Sequence, residues 1–229
     1  MSRPRAGSRY VRGLRHPLLA SALAIAPACG AAPAPRSPPR PAGACPIFEP
    51  AVIRGPEDVA RLAPCASLPG LTVGTAAAID LARLTALTRV RGDLRIGPTL
   101  GIATITLPAL VEVTGTVRVA GNGDLTGLFL PALARAGAVE LADDPSLASV
   151  SAPALATIDR GLSLARVPAL ELVDTSAGPR VGGELDVAGV PALVTWLGPP
   201  AVTGAIRLEA PRLDDDTRAT IGRKPDPGQ

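Results

Sequence analysis

Aromatic rings are almost absent from this chain. Its 229 residues include one Trp, one Tyr and two Phe. That is too few for the stacked platform on which single-stranded nucleic acid lies. Histidine is scarcer still. The one His, His16, falls in an Arg-rich N-terminal segment, so the chain beyond it offers no imidazole for a Ser–His–Asp or Cys–His arrangement. Three Cys without a partnering His do not complete a tetrahedral metal site, and no metal or other cofactor is expected. Net charge is small as well. Lys and Arg total 23 against 20 Asp and Glu, and Arg3, Arg5, Arg9, Arg12 and Arg15 account for the excess. From Cys29 onward 18 basic residues face 20 acidic ones, which leaves no basic face to argue for nucleic acid. The apolar run Leu18–Ile25 is too short to span a bilayer.

What the chain has is a phrase that it repeats. Ile102–Leu110 reads IATITLPAL, Leu125–Leu133 reads LTGLFLPAL and Leu147–Leu155 reads LASVSAPAL. Around it runs a longer pattern, opened by a strand of the form L-x-V at Leu71, Leu94, Val117, Val139, Leu162, Leu185 and Ile206. The spacings are 23, 23, 22, 23, 23 and 21 residues. Two residues after each start comes Val73, Ile96, Val119, Leu141, Leu164, Val187 or Leu208. Eight after the first six comes Ile79, Ile102, Leu125, Leu147, Leu170 or Leu193, and eleven after comes Ala82, Ile105, Leu128, Val150, Val173 or Trp196. A fixed period of this length means stacked units, none of which can bury its apolar side alone. Within each unit the apolar positions alternate with period two, which is strand, and no helical period intervenes between residues 71 and 210.

Proline and glycine mark where the chain turns. Pro108, Pro131 and Pro153 share one slot, and Pro145, Pro168 and Pro191 share another. Proline cannot donate to a ladder with neighbours on both sides, so both slots are corners. Gly92, Gly115 and Gly137 mark a third. The fold expected is mainly β: a right-handed β-solenoid of about seven coils of 21–23 residues, with an N-terminal capping helix. At ~4.8 Å per coil its body is about 30 Å long.

The N-terminus has the form of an export signal. Residues 1–28 carry five Arg, then an apolar run, then Ala26, Pro27 and Ala28 before Cys29. Small residues ending in Cys resemble the bacterial lipoprotein signal, which implies acylation of Cys29, a membrane held through that lipid, and a place at the outer membrane or cell surface. The same run also fits an ordinary cleavage that leaves Cys29 a free thiol. Residues 29–44 then read as a Pro/Ala-rich tether, GAAPAPRSPPRPAGA after the cysteine, extended at roughly 3 Å per residue. If Cys29 carries lipid, Cys45 and Cys65 remain as a pair in an oxidising setting, and their bridge contributes ~3 kcal/mol on the loop-entropy view. The solenoid is placed at 45–213, with its cap at 45–70, and a C-terminal cap and tail at 214–229.

The phrase L-x-x-L-x-L-P-x-L resembles a leucine-rich repeat, with Leu110, Leu133 and Leu155 where that pattern has Asn or Cys. The segment before it adds a second likeness. Cys45, Ile53-Arg54-Gly55, the acidic stretch Pro56–Leu62, Cys65 and Gly70-Leu71-Thr72-Val73 are similar to the opening of a receptor L domain: cysteine, strand, short helix, second cysteine, first coil. That family is an irregular right-handed β-solenoid found in receptor ectodomains, fungal wall proteins and bacterial lipoproteins, and the resemblance covers about 45–213. The helix has its own physical case. Pro56 suits the first helical position, Glu57 and Asp58 suit the positive end of the dipole, and Val59, Leu62 and Ala63 share a face that fits over an open solenoid end.

Three turns carry acids: Gly121-Asn122-Gly123-Asp124, Asp143-Asp144-Pro145 and Asp214-Asp215-Asp216. The first two read as corner turns and the third as a helix start, with an Asp as N-cap. Glu140 and Asp143 are the carboxylate pair that a glycoside-cleaving site would need. The outward strand positions Arg95, Arg118, Glu140, Asp186 and Arg207 are all charged, run from basic to acidic along the stack, and form the candidate contact stripe. The function expected is a lipid-anchored envelope module that binds a protein or polysaccharide, not an enzyme. The alternatives are a carbohydrate-active β-solenoid enzyme and a purely structural envelope component.

Overall fold

The computed structural model describes Cys45 and residues 49–221. The segments expected to be an export signal and a tether, with Cys29 between them, lie outside the described residues. Within them the chain is a mainly β solenoid of about seven turns whose strands all pair in parallel, coil on coil. Each full coil has three short strands, so the strands form three files down the stack.

The first file is Ala51–Ile53, Leu71–Val73, Leu94–Ile96, the second halves of Glu112–Ala120 and Arg135–Ala142, then Leu162–Ala165, Leu185–Ala188 and Ile206–Leu208. The second is Thr104–Thr106, Gly127–Phe129, Ser149–Ser151, Leu172–Asp174 and Thr195–Leu197. The third runs from Ser67–Leu68 through Arg89–Val90, Thr157–Ile158 and Arg180–Val181 to Ala201–Val202. The registers repeat the sequence period: Leu94 pairs with Val117, Val117 with Val139 and Leu128 with Val150. An inward side chain therefore meets its own counterpart from the next coil. The column Leu125, Leu147, Leu170 and Leu193 is fully buried. Each such leucine contributes about 2–3 kcal/mol by leaving water.

The proline slots fall between files, as a missing donor requires. Pro145, Pro168 and Pro191 follow the first file, and Pro108, Pro131 and Pro153 follow the second. At the third corner two strands, Glu112–Ala120 and Arg135–Ala142, run through the bend, and their register shifts between Val113 and Thr116. Glycine is needed there because successive coils touch backbone to backbone. A Cβ on Gly115 would lie 2.5 Å from the carbonyl carbon of Gly92, and one on Gly183 would lie 1.9 Å from the carbonyl oxygen of Arg160.

The columns hold except in the first and last coils, where Ile79 and Leu208 are half-buried, and at Val139. In the first coil the strand of the second file is replaced by a 3-10 turn, Leu81–Arg83. The Asp80 carboxylate accepts the Ala82 N–H at 3.0 Å and starts that turn. Leu81 fills the core there and Ala82, assigned to the column from sequence, is only half-buried. Val139 is half-buried beside the buried Ala138, because the bend at Gly137 rotates the strand. In the last coil Ile206 is 39% exposed, with no coil beyond it.

Two helices flank the stack. Pro56–Leu62 has Glu57 and Asp58 in its first turn and buries Val59 and Leu62. It packs on Ala51–Ile53 and on the turn Leu81–Arg83. A disulfide joins Cys45 to Cys65, just past this helix, with Cα atoms 4.9 Å apart. Asp215–Ile221 forms the second helix. Asp214 caps it by accepting the Thr217 N–H at 2.7 Å, and Ile221 is fully buried.

Leu147→Asp should abolish cooperative unfolding of the stack, since an unpaired buried charge costs several kcal/mol. Gly183→Ala should lower stability by roughly 2 kcal/mol, whereas Gly74→Ala, where an added Cβ meets nothing within 4 Å, should change it by less than about 0.5. Thermal unfolding of the three variants checks the column and the corner separately. A Gly183→Ala melt that matches wild type removes the close-approach argument.

Candidate functional site

The outward positions of the first file form a single row, because parallel registry places each beside its counterpart. In order it runs Thr72, Arg95, Arg118, Glu140, Ser163, Asp186 and Arg207. All five residues of the candidate stripe are thus brought together on one face, at ~4.8 Å per step. The alternation of the strands places them there: their neighbours on either side point into the core.

The charges of the row engage one another. Arg118 Nη1 donates to Glu140 Oε2 at 2.7 Å, which joins adjacent coils at the first of the row's two changes of sign; the second falls between Asp186 and Arg207. Arg95 donates to Asp93 Oδ2 at 2.8 Å. Arg207 donates to Glu209 at 2.7 Å and lies 3.9 Å from Asp186. These side chains are 40–64% exposed, so water screens them and they add little to stability. Beside the row, the Asp93 carboxyl is held below its usual range. The Thr116 backbone N–H at 3.0 Å is the main cause, with Arg95 adding to it.

A shallow groove of about 440 Å³ opens at the glycine corner next to the row, lined by Thr116, Glu140, Arg160, Ser163 and Glu184 among others. Arg160 crosses a whole coil in it and donates from Nη2 to Thr116 Oγ1 at 3.1 Å. It passes over Gly137, where a Cβ would come within 3.0 Å of that nitrogen. Glu140 belongs to both row and groove, so the two form one surface. The glycine slot was legible in sequence. That it makes room for an arginine from the next coil was not.

Glu140 and Asp143 each have an arginine of their own. Asp143 accepts from Arg166 Nε at 2.5 Å and Nη2 at 2.7 Å, and this pairing holds its carboxyl below the usual range and raises the guanidinium. Asp143 and Arg166 both adopt a left-handed backbone, φ 57° and 54°, at the corner where Gly121 and Gly189 stand in other coils. The Arg166 pairing favours the ionised form of Asp143.

The second residue of each of the first two acidic turns points inward. Asn122 and Asp144 are fully buried, and with Thr99 they form a polar column in the slot that Val167 and Val190 fill further along. Thr99 Oγ1 donates to Asn122 Oδ1 at 2.7 Å. Asn122 donates to Asp144 Oδ1 from its backbone N at 2.7 Å and from Nδ2 at 2.9 Å. Asp144 Oδ2 has no partner. Burial pushes the Asp144 carboxyl up despite the Asn122 bonds, with the neighbouring Asp143 adding to the rise. The signal in sequence was the common spacing of 23 and 22 residues, although the residue types suggested surface turns. Asp124 stays outside and accepts the Gly101 N–H at 2.7 Å. Among the described residues no group of three His, Cys, Asp or Glu is placed to hold a metal ion, and no helix is long and apolar enough to cross a membrane.

Comparison with models of known protein families, with curated protein sequences and with solved structures returns no match for this chain. The solenoid shape by itself names no family among the many that stack strands in parallel.

Asp144 carries a sign that experiment can read. Its folded-state affinity for a proton is raised, so its contribution to stability is fully present below the ordinary Asp pKa of 3.8 and is lost as pH rises through the folded value. Asp144→Asn keeps an acceptor for Asn122 and cannot ionise. The stability of the variant relative to wild type should therefore increase as pH is raised from 3 to 7. A difference that stays flat across that range would show that the buried carboxyl does not titrate in this window.

Proposed function

We propose that this protein is a lipid-anchored cell-envelope module whose solenoid binds a protein or polysaccharide through the outward row of its first file. The observation that carries the reading is the row itself: Arg95, Arg118, Glu140, Asp186 and Arg207 in register on one face, continuous with the groove at Arg160. Repeat bodies with broad regular surfaces serve recognition. Screened, mutually paired charges contribute to the choice of partner more than to stability. In this reading Cys29 carries the lipid and residues 30–44 hold the body away from the membrane. The helix Pro56–Leu62 closes the N-terminal end, in keeping with a receptor-L-like arrangement.

Crosslinking in the native envelope, followed by identification of what co-purifies, supplies the partner. Arg95→Glu with Arg118→Glu sets three acids in succession along the row, and capture of that partner should fall by at least about tenfold with the melting temperature unchanged. Undiminished capture by a folded variant removes the row as the contact. Mass spectrometry of the mature N-terminus should find a diacylated Cys29, and an unmodified N-terminal peptide at Cys29 defeats the anchor.

A further inference from the structure

Among the described residues, the last coil is covered only in part. Ile206–Leu208 pairs on one side only, with Leu185–Ala188, and Thr195–Leu197 pairs only with Leu172–Asp174. Each presents a free backbone edge. The helix Asp215–Ile221 packs against Ala201–Val202 of the third file. Val194, Leu197 and Ile206 are 47%, 48% and 39% exposed, half of the six large apolar side chains exposed among the described residues. At the opposite end Ala51–Ile53 also pairs on one side only, but there the helix Pro56–Leu62 packs on the strand, and Ala51 and Ile53 are buried.

The hydrogen bonds at this edge select an occupant. Leu185 N donates to Ala205 O at 2.9 Å and Glu209 N donates to Val187 O at 2.8 Å. Ala205, Arg207 and Glu209 thus turn their peptide groups toward the body, and by strand alternation Ile206 and Leu208 turn theirs toward the free edge. A second copy laid antiparallel, with a two-fold axis at Leu208, pairs Leu208 with its own copy through both peptide groups. The same register sets Arg207 opposite the copy's Glu209, twice over. The neighbouring register, with its axis at Arg207, sets arginine against arginine. Arg207 and Glu209 already meet at 2.7 Å within one chain, and both remain more than half exposed. The edge is self-complementary in hydrogen bonds and in charge, as an isologous contact requires.

We propose that the C-terminal edge is a self-association surface, on which two copies join by antiparallel pairing of Ile206–Leu208, with Arg207 of each beside Glu209 of the other. The apolar side chains of the terminal coil lie at the rim of that contact.

Sedimentation velocity over a concentration series tests this on the full chain carrying Cys29→Ser, so that neither lipid nor a free thiol joins copies. A reversible monomer–dimer equilibrium is expected. Arg207→Glu, which sets acid against acid, should raise the dimer dissociation constant about tenfold. Arg207→Glu with Glu209→Arg should return it to within about threefold of wild type. Ile206→Lys should abolish the dimer while thermal unfolding shows the fold intact. A monomer at every concentration, a series of ever larger species from head-to-tail stacking, or a dimer indifferent to Arg207→Glu would each overturn the proposal.

Discussion

Every feature of this molecule answers to one constraint: successive coils must lie in register at the separation of paired strands. The hydrogen bonds between coils are set by the backbone and repeat at each step, as in Thr126 N to Ala103 O, Ala148 N to Thr126 O and Glu171 N to Ala148 O. At the glycine corner the backbones approach so closely that a single methyl would collide with a carbonyl. An inward residue then has its counterpart above and below it, and the core becomes a set of columns rather than a jigsaw of unlike shapes. Leu, Ile and Val stack in this way. The one Trp sits in the last strand of its file, where its indole N–H is satisfied by Thr175 Oγ1 at 2.9 Å.

The same registry makes polar residues answer to their neighbours. Thr99, Asn122 and Asp144 survive in the interior because each is bonded to the next, and the column turns to valine where the bonding stops. Asp144 is its weak member, a buried acid with one oxygen unpartnered. On the outside registry sets arginine beside glutamate across coils, so the row is a chain of local pairs and not a uniform field.

The ends are where the repeat has no neighbour to satisfy it, and there the chain changes its means. In the first coil a 3-10 turn stands where later coils have a strand of the second file, a helix packs on the first strand, and a disulfide follows that helix. At the C-terminal end one short helix packs on a single file, and two strand edges stay open. Unpaired edges beside exposed apolar side chains are what natural sheets ordinarily avoid.

The period, most of the buried columns and the proline and glycine corners were determined by the sequence. Each is a matter of spacing, and in a solenoid spacing along the chain becomes position in space. The pairing of Cys45 with Cys65 followed from sequence only on the condition that Cys29 carries lipid, and it is the fold that sets their Cα atoms 4.9 Å apart. The outward row was legible for the same reason, since strand alternation assigns Arg95, Arg118, Glu140, Asp186 and Arg207 to one side. Only the tertiary structure decided which way a corner residue turns. Asn122 and Asp144 have the composition of surface turns, yet rotation of the chain at the corner aims them inward while Asp124 and Asp143 stay outside. Only the tertiary structure brought Arg160 across Gly137 to Thr116, and only it left Ile206 exposed in a column of buried residues. In each case the deciding quantity is what lies beside the residue in the next coil, and that is a property of the stack.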